Sequence, residues 1–169
     1  MSVLVLGLVW AALYLPALGD PELRGEEMRR ILPAQAMLET GDWVVPRIAG
    51  EIYSNKPPLI NWAIAAAFAL SGSASETTAR MVSALSVLLL ALGTCFILRR
   101  RGEVGEPTAL LVAVSLLTTV SIIGKGRLIE IEALFVALFG LAAFLWIRLW
   151  TDRRSPWLVW TLPYIPLGL

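Results

Sequence analysis

No histidine occurs in the 169 residues, which removes the commonest general base and the commonest metal ligand from any mechanism. A single cysteine, Cys95, excludes an intrachain disulfide, and its place midway through an apolar run reads as a buried, inert thiol. Charge is scarce as well. Asp, Glu, Lys and Arg make up 16% of the chain, against 57% hydrophobic residues and a mean hydropathy of +0.74. That balance lies outside ordinary soluble domains and points to a membrane protein. Net charge is +1 with no polybasic run, so nucleic acid is not an expected partner.

What the chain does have is apolar length. A membrane span takes roughly 17 to 25 mostly apolar residues. Residues 3–18, 81–98 and 133–150 meet that length or approach it, and 108–123 is shorter but wholly uncharged. Residues 156–169 read as the beginning of a further, incomplete span. No Lys or Arg precedes Val3, so 3–18 reads as an uncleaved first transmembrane helix rather than a signal peptide. Residues 59–70, between "KPP" and "SGSAS", are too few to cross and read as an interfacial or re-entrant helix. The expected fold is therefore all-α: a multi-pass transmembrane helical protein with an outer loop over 19–58. On this topology that loop and "GKGRLIEIE" (Gly124–Glu132) share one membrane face. The cluster Arg99, Arg100, Arg101 at a helix end marks the opposite face as cytoplasmic.

Most of the charge sits in the first loop. Asp20 followed by Pro21 predicts a helix start, an N-cap with proline at the first helical position. Met28, Ile31, Leu32 and Leu38 then keep an apolar face, while Glu26, Arg29, Arg30 and Pro33 fall on another at helical spacing. Thr40-Gly41 ends the pattern. The expectation is an amphipathic helix, kinked at Pro33 and lying along the membrane surface. "GDWVVP" and "RIAGEIY" follow as extended stretches and lead to "YSNKPPLINW". There Pro57 and Pro58 stop a helix from running straight in, fixing Lys56 where an aqueous loop meets lipid. The residues alone leave two readings open. One is solvated loop charge with a snorkelling lysine, its ion pairs worth under about 1 kcal/mol; the other is an anion-binding site.

"GEEMRR…AQAMLETGDWVVPRIAGEIYSNKPPLINW", followed by "TTARMVSAL", resembles the N-terminal part of polyprenyl-phosphate-sugar-dependent glycosyltransferases. These are integral-membrane enzymes of the GT-C type, including lipid A aminoarabinose transferases and relatives of the protein mannosyltransferases. By position, the resemblance places Glu26 at the acidic residue of the first outer loop, with Glu27 and Arg29 beside it as substrate-binding candidates. It places Lys56 at the lysine that binds the lipid carrier's phosphate, Tyr53 at its accompanying tyrosine, and Arg80 at the arginine opening the next transmembrane helix. "RLIEIEAL" resembles the place where a second acidic residue approaches the cleft. Glu132 is taken over Glu130, because two residues about 200° apart on a helix cannot both face inward.

The resemblance implies a polyprenyl-phosphate-linked sugar as donor, membrane lipids as surroundings, and a lipid, glycan or protein as acceptor. The site would face the periplasm or cell exterior of a plasma (bacterial inner) membrane. A lysine at the interface can stabilise the charge developing on a departing phosphate, and Glu26 can take the acceptor's proton without any histidine. The sequence requires no cofactor and leaves a divalent metal open, with Glu132 as one potential ligand. Family members run to several hundred residues, so these residues are expected to be either an N-terminal fragment of a longer protein, whose activity belongs to the whole, or the product of a truncated gene. The alternatives are a non-catalytic membrane protein that binds lipid carriers, and a small transporter subunit. The second expects ionisable residues inside spans, and here the charges sit at span ends.

Overall fold

A computed structural model describes residues 1–101, 104–152 and 154–165, of which Arg101 is described in its backbone only. The chain is almost entirely helical. α1 (Ser2–Tyr14) is followed by a non-helical stretch and α2 (Met28–Thr40), and then by a hairpin of β1 (Arg47–Ile48) and β2 (Glu51–Ile52). α3 (Leu59–Ser71), α4 (Glu76–Arg101), α5 (Glu106–Thr118), α6 (Val120–Gly126), α7 (Ile131–Thr151) and α8 (Pro156–Thr161) complete it, with a 3-10 turn at Leu162–Tyr164. The last four residues of the expected incomplete span 156–169 lie outside the described residues.

α4 and α7 are each long and apolar enough to cross a membrane. α5 and α6 pass the same test only as a pair, and they are bent by 63° where residues 108–123 were expected to run as one span. Hydroxyl side chains surround the break. The Thr118 hydroxyl donates to the Val114 carbonyl (3.1 Å) and the Thr119 hydroxyl to Ser115 (2.8 Å), so side chains compete for helix acceptors. Thr119 itself is extended, with φ −65° and ψ 122°. Each of α1 and α3 has 13 residues, about 20 Å of helix, less than the roughly 30 Å hydrocarbon core.

The main core lies among α1, α4 and α5. Leu6, Trp10 and Tyr14 pack against Ala84, Val87, Ala91 and Cys95 of α4 and against Ala109, Ala113 and Leu117 of α5. Small residues on both partners let the helices approach closely, the packing that substitutes for a hydrophobic drive inside lipid. The two polar rings of α1 are satisfied. Trp10 Nε1 donates to the Ala84 carbonyl (2.7 Å), and the Tyr14 hydroxyl donates to Leu117 (3.0 Å), a carbonyl in the last turn of α5. Gly126, at the end of α6, closes against the same ring: a Cβ there would sit 2.7 Å from Tyr14 Cε1 and 2.9 Å from Val87 Cγ2. Because its hydroxyl bond holds Tyr14 in place, Gly126→Ala is expected to cost about 1–3 kcal/mol, read as a lowered Tm in detergent.

A second, smaller core holds the first loop on the bundle. Ile31 and Ala34 of α2 meet Ile60, Ile64, Ala65 and Phe68 of α3, with Ala79 of α4 and Ile129 behind them. Here the structure corrects two expectations, where the helix starts and which face it buries. The helix does not begin at Asp20-Pro21, because the carbonyls of Pro21 and Glu22, which a helix would need, accept from the Arg80 guanidinium, and Gly25 takes φ +54°. α2 also runs through Pro33 to Gly41 (φ +73°) as one element. Its buried face is Arg30, Ile31, Pro33, Ala34 and Met37, leaving Met28, Leu32 and Leu38 on the outside. Ile31 and Ala34 face α3, and the bond from Asn61 Nδ2 to the Arg30 carbonyl (3.0 Å) ties the two helices on that side.

Candidate functional site

The extended stretch after α2 is shaped by two short devices. Asp42 Oδ1 accepts from the amides of Val44 (3.1 Å) and Val45 (3.2 Å), turning the chain back over α3, where Trp62 Nε1 donates to the Trp43 carbonyl (2.6 Å). Then β1 and β2 pair in register Arg47↔Ile52 and Ile48↔Glu51 through a two-residue turn, Ala49-Gly50, with φ positive at both positions. The Tyr53 amide donates to the Pro46 carbonyl (2.8 Å), so Tyr53, Asn55 and Lys56 leave the hairpin along a defined path. Pro58 stands at the N-cap of α3 and ends that path.

This path borders an open cavity of about 630 Å³. Glu26, Arg29, Arg30, Tyr53, Asn55, Lys56 and Pro57 line it from the first loop, and Glu130, Ile131, Glu132 and Phe135 from the start of α7. Glu26 Oε1 accepts from Arg29 Nη1 at 2.6 Å, an exposed pair, while its other oxygen lies 3.7 Å from Arg30 Nη2. Lys56 is exposed and, among the described residues, makes no ion pair. Across the cavity Lys125 Nζ lies 3.2 Å from Glu130 and 3.4 Å from Glu132.

Glu130 corrects the helical argument that excluded it. It is not in α7 but at its N-cap, with extended φ −122° and ψ 141°, so the angle between helical positions does not apply and both carboxylates reach the cavity. Partial burial pushes the Glu130 carboxyl up, and the neighbouring Glu132 carboxyl adds to the effect, against the opposing pull of Lys125. Asn55 and Arg30 are the other polar lining side chains not expected from the sequence; Arg30 has the helical position of a surface charge yet is 3% exposed.

Two of the expected substrate-binding residues lie elsewhere. Glu27 and Arg80 are buried together behind the cavity, Arg80 Nε at 2.9 Å from Oε1 and Nη2 at 3.1 Å from Oε2. All five guanidinium hydrogens are used: Nη1 also donates to Leu18 and Pro21 (both 2.9 Å), and Nη2 to Glu22 (3.4 Å). Glu27 in turn accepts from the amides of Arg24 (2.9 Å) and Ile129 (3.0 Å). Burial alone would push the Glu27 carboxyl up; the Arg80 bonds and the two amides outweigh it and hold the group below its ordinary value. The pair therefore joins the first loop, α4 and the residue before Glu130, and sets the two walls of the cavity relative to each other.

Among the described residues, no three acidic or cysteine side chains converge closely enough to hold a metal ion. Glu130 and Glu132 are bridged by Lys125.

Residues 55–169 match the family model described as dolichyl-phosphate-mannose-protein mannosyltransferase. The matched stretch contains Lys56, Arg80, Glu130 and Glu132, and the acidic end of the first loop lies before it. An uncharacterized protein of Aquifex aeolicus is 30% identical over 127 residues, which is 75% of this chain and 25% of the relative. The chain thus spans about a quarter of the length of that relative's sequence. No solved structure matches it. With its membrane-length apolar helices, the chain belongs to the dolichyl-phosphate-mannose-protein mannosyltransferase family, within the GT-C membrane glycosyltransferases.

Proposed function

We propose that the protein moves a sugar from a polyprenyl-phosphate carrier to a lipid, glycan or protein acceptor, at the outer face of a plasma (bacterial inner) membrane. The observation that carries this reading is Lys56: an exposed lysine without an ion-pair partner among the described residues, held by a hairpin and two prolines on a cavity that also contains carboxylates. A phosphate group at the membrane surface is the natural counter-ion for such a side chain.

In this reading Lys56 pairs with the donor's phosphate, and Tyr53 and Arg29 border the same ligand. Glu26 accepts the proton of the acceptor hydroxyl as its oxygen bonds to the anomeric carbon. The bond between that carbon and the phosphate oxygen breaks, its electron pair leaving with the phosphate. Glu132 and Glu130 orient sugar or acceptor hydroxyls from the opposite wall. Glu27 and Arg80 act as positioning residues, through the bonds that fix the loop and the start of α7. The lipid tail lies in the bilayer, so only the phosphate and sugar need the aqueous cavity.

Lys56→Ala tests the reading in the intact protein in its native membranes. Charge-assisted hydrogen bonds are worth about 1.5–3 kcal/mol, so donor affinity should fall roughly tenfold to a hundredfold, followed as release of free polyprenyl phosphate. Release at the wild-type rate and donor concentration dependence would count against a phosphate role for Lys56.

A further inference from the structure

The protein buries two arginines beside the first loop, and they are treated very differently. Arg80 donates five hydrogen bonds with its five N–H groups. Arg30 is as well buried, its side chain 4% exposed, yet its Nε has no hydrogen-bond partner among the described residues. Its Nη1 makes one long bond, 3.4 Å, to the Tyr53 hydroxyl, and its Nη2 lies 3.7 Å from Glu26, an ion-pair distance but not a hydrogen bond. The buried Nε is costly, because it has given up water without a replacement. Arg30 also lines the cavity that contains Lys56 and Tyr53, so its guanidinium stands beside the space where a ligand would sit.

We infer that Arg30 is a second cation for the phosphate of the lipid donor, sharing that oxyanion with Lys56 and Tyr53. This rests on the donor-site reading above. The chemistry explains why two cations are useful. A sugar joined to a polyprenyl phosphate is a phosphodiester with one negative charge; once the carbon–oxygen bond breaks, the departing polyprenyl phosphate is a monoester that carries up to two. A guanidinium offers paired donors in a fixed plane that matches phosphate oxygens, which an ammonium does not. Lys56 serves the charge present in the bound donor, and Arg30 the charge added as the sugar leaves. Stabilisation that grows along the reaction raises turnover more than it tightens donor binding.

The test uses the intact detergent-solubilised protein and two probes, polyprenyl monophosphate and uncharged polyprenol, with binding read as ligand-dependent thermal shift. Arg30→Gln should weaken monophosphate binding by at least about tenfold and leave polyprenol binding unchanged. Arg30→Lys, which keeps the charge but not the paired donors, should fall between the two and stands in if the glutamine variant does not fold. Wild-type monophosphate affinity in both Arg30 variants, with Lys56→Ala impaired, overturns the Arg30 inference alone; that is the result expected if another part of the protein satisfies the guanidinium. Unchanged affinity in Lys56→Ala as well overturns the donor-site reading beneath it. Equal loss of both probes in Arg30→Gln means general damage and also overturns the inference. A third arm separates the source of the anion: inorganic phosphate that protects the protein as well as the lipid does, in an Arg30-dependent manner, makes this a free-phosphate site and rejects the lipid donor.

Discussion

Replacing Glu26 with glutamine is expected to slow sugar transfer by about 10²–10⁴-fold, the contribution typical of a positioned general base, while leaving donor binding intact. Glutamine keeps the length and shape of the side chain but cannot accept the acceptor's proton. Stability should change little, because the close pair with Arg29 is exposed on both sides, worth roughly 0.2–1 kcal/mol, and the contact with buried Arg30 is long at 3.7 Å. Rate and melting temperature therefore separate the two roles Glu26 could have. If it is merely half of a surface ion pair, Glu26→Gln transfers sugar at close to the wild-type rate. If it is the base, Glu26→Asp should recover part of the activity, since the carboxylate is retained one methylene short. A variant that binds donor and has lost transfer would also separate an enzyme from a protein that only binds lipid carriers.

Arg80→Ala should do the opposite, removing the fold before it removes any chemistry. Deleting one member of a buried ion pair costs about 3–5 kcal/mol, against a total stability of roughly 5–15 kcal/mol. The loss here is wider than one pair, because three carbonyls of the chain between α1 and α2 lose their donor and Glu27 is left charged and buried. Thermal denaturation in detergent should show a large fall in Tm or no folded protein. Arg80→Lys should not restore it, since an ammonium cannot supply donors in five directions. The same pair sets a pH response. Glu27 is held below its ordinary value of 4.5, so its contribution is fully present above that value and is lost as pH falls through the lowered folded value. The wild type should lose Tm on acidification through that window, and Glu27→Gln, which has no carboxylate there to protonate, should lose less. Equal acid sensitivity in both proteins would remove Glu27 from the explanation.

Local pattern carried much of the arrangement. Two adjacent prolines, a glycine after Thr40 and a short apolar run after Pro58 are sufficient to place Lys56 between a loop and a short helix. Glu26, Tyr53, Lys56 and Glu132, grouped from sequence, all line one cavity. What escaped the sequence depended on partners far along the chain. Asp20-Pro21 has the residues of a helix start, but Arg80, about 60 residues later, takes the acceptors that helix would use. Glu130 was set aside on a helical angle that holds only if α7 begins before it, and α7 begins at Ile131. Arg30 reads as a surface charge in its helix, and only the packing of α2 on α3 shows that it points inward. The bend at Thr119 falls where hydroxyl residues cluster, Ser115, Thr118, Thr119 and Ser121, within an uncharged run.

The bond from the Ile129 amide to Glu27 spans 102 residues, and the two bonds from Arg127 to the carbonyls of Leu13 and Pro16 span still more. Chains are made in order, at roughly 5–20 residues per second. The first loop must therefore leave the ribosome and wait on the order of 5 to 20 s before the segment that closes over it has been synthesised. During that interval Glu27 has only the Arg24 amide and, later, Arg80 as partners, the end of α1 lacks its guanidinium clasp, and the carboxylates of the far wall do not yet exist. A lipid phosphate met in that interval would find Lys56 with no cavity around it. On the proposed reading, selectivity for a sugar donor would begin only when residues 125–132 have been made, so the timing of synthesis would separate a nascent chain that can touch the carrier from one that can grip it.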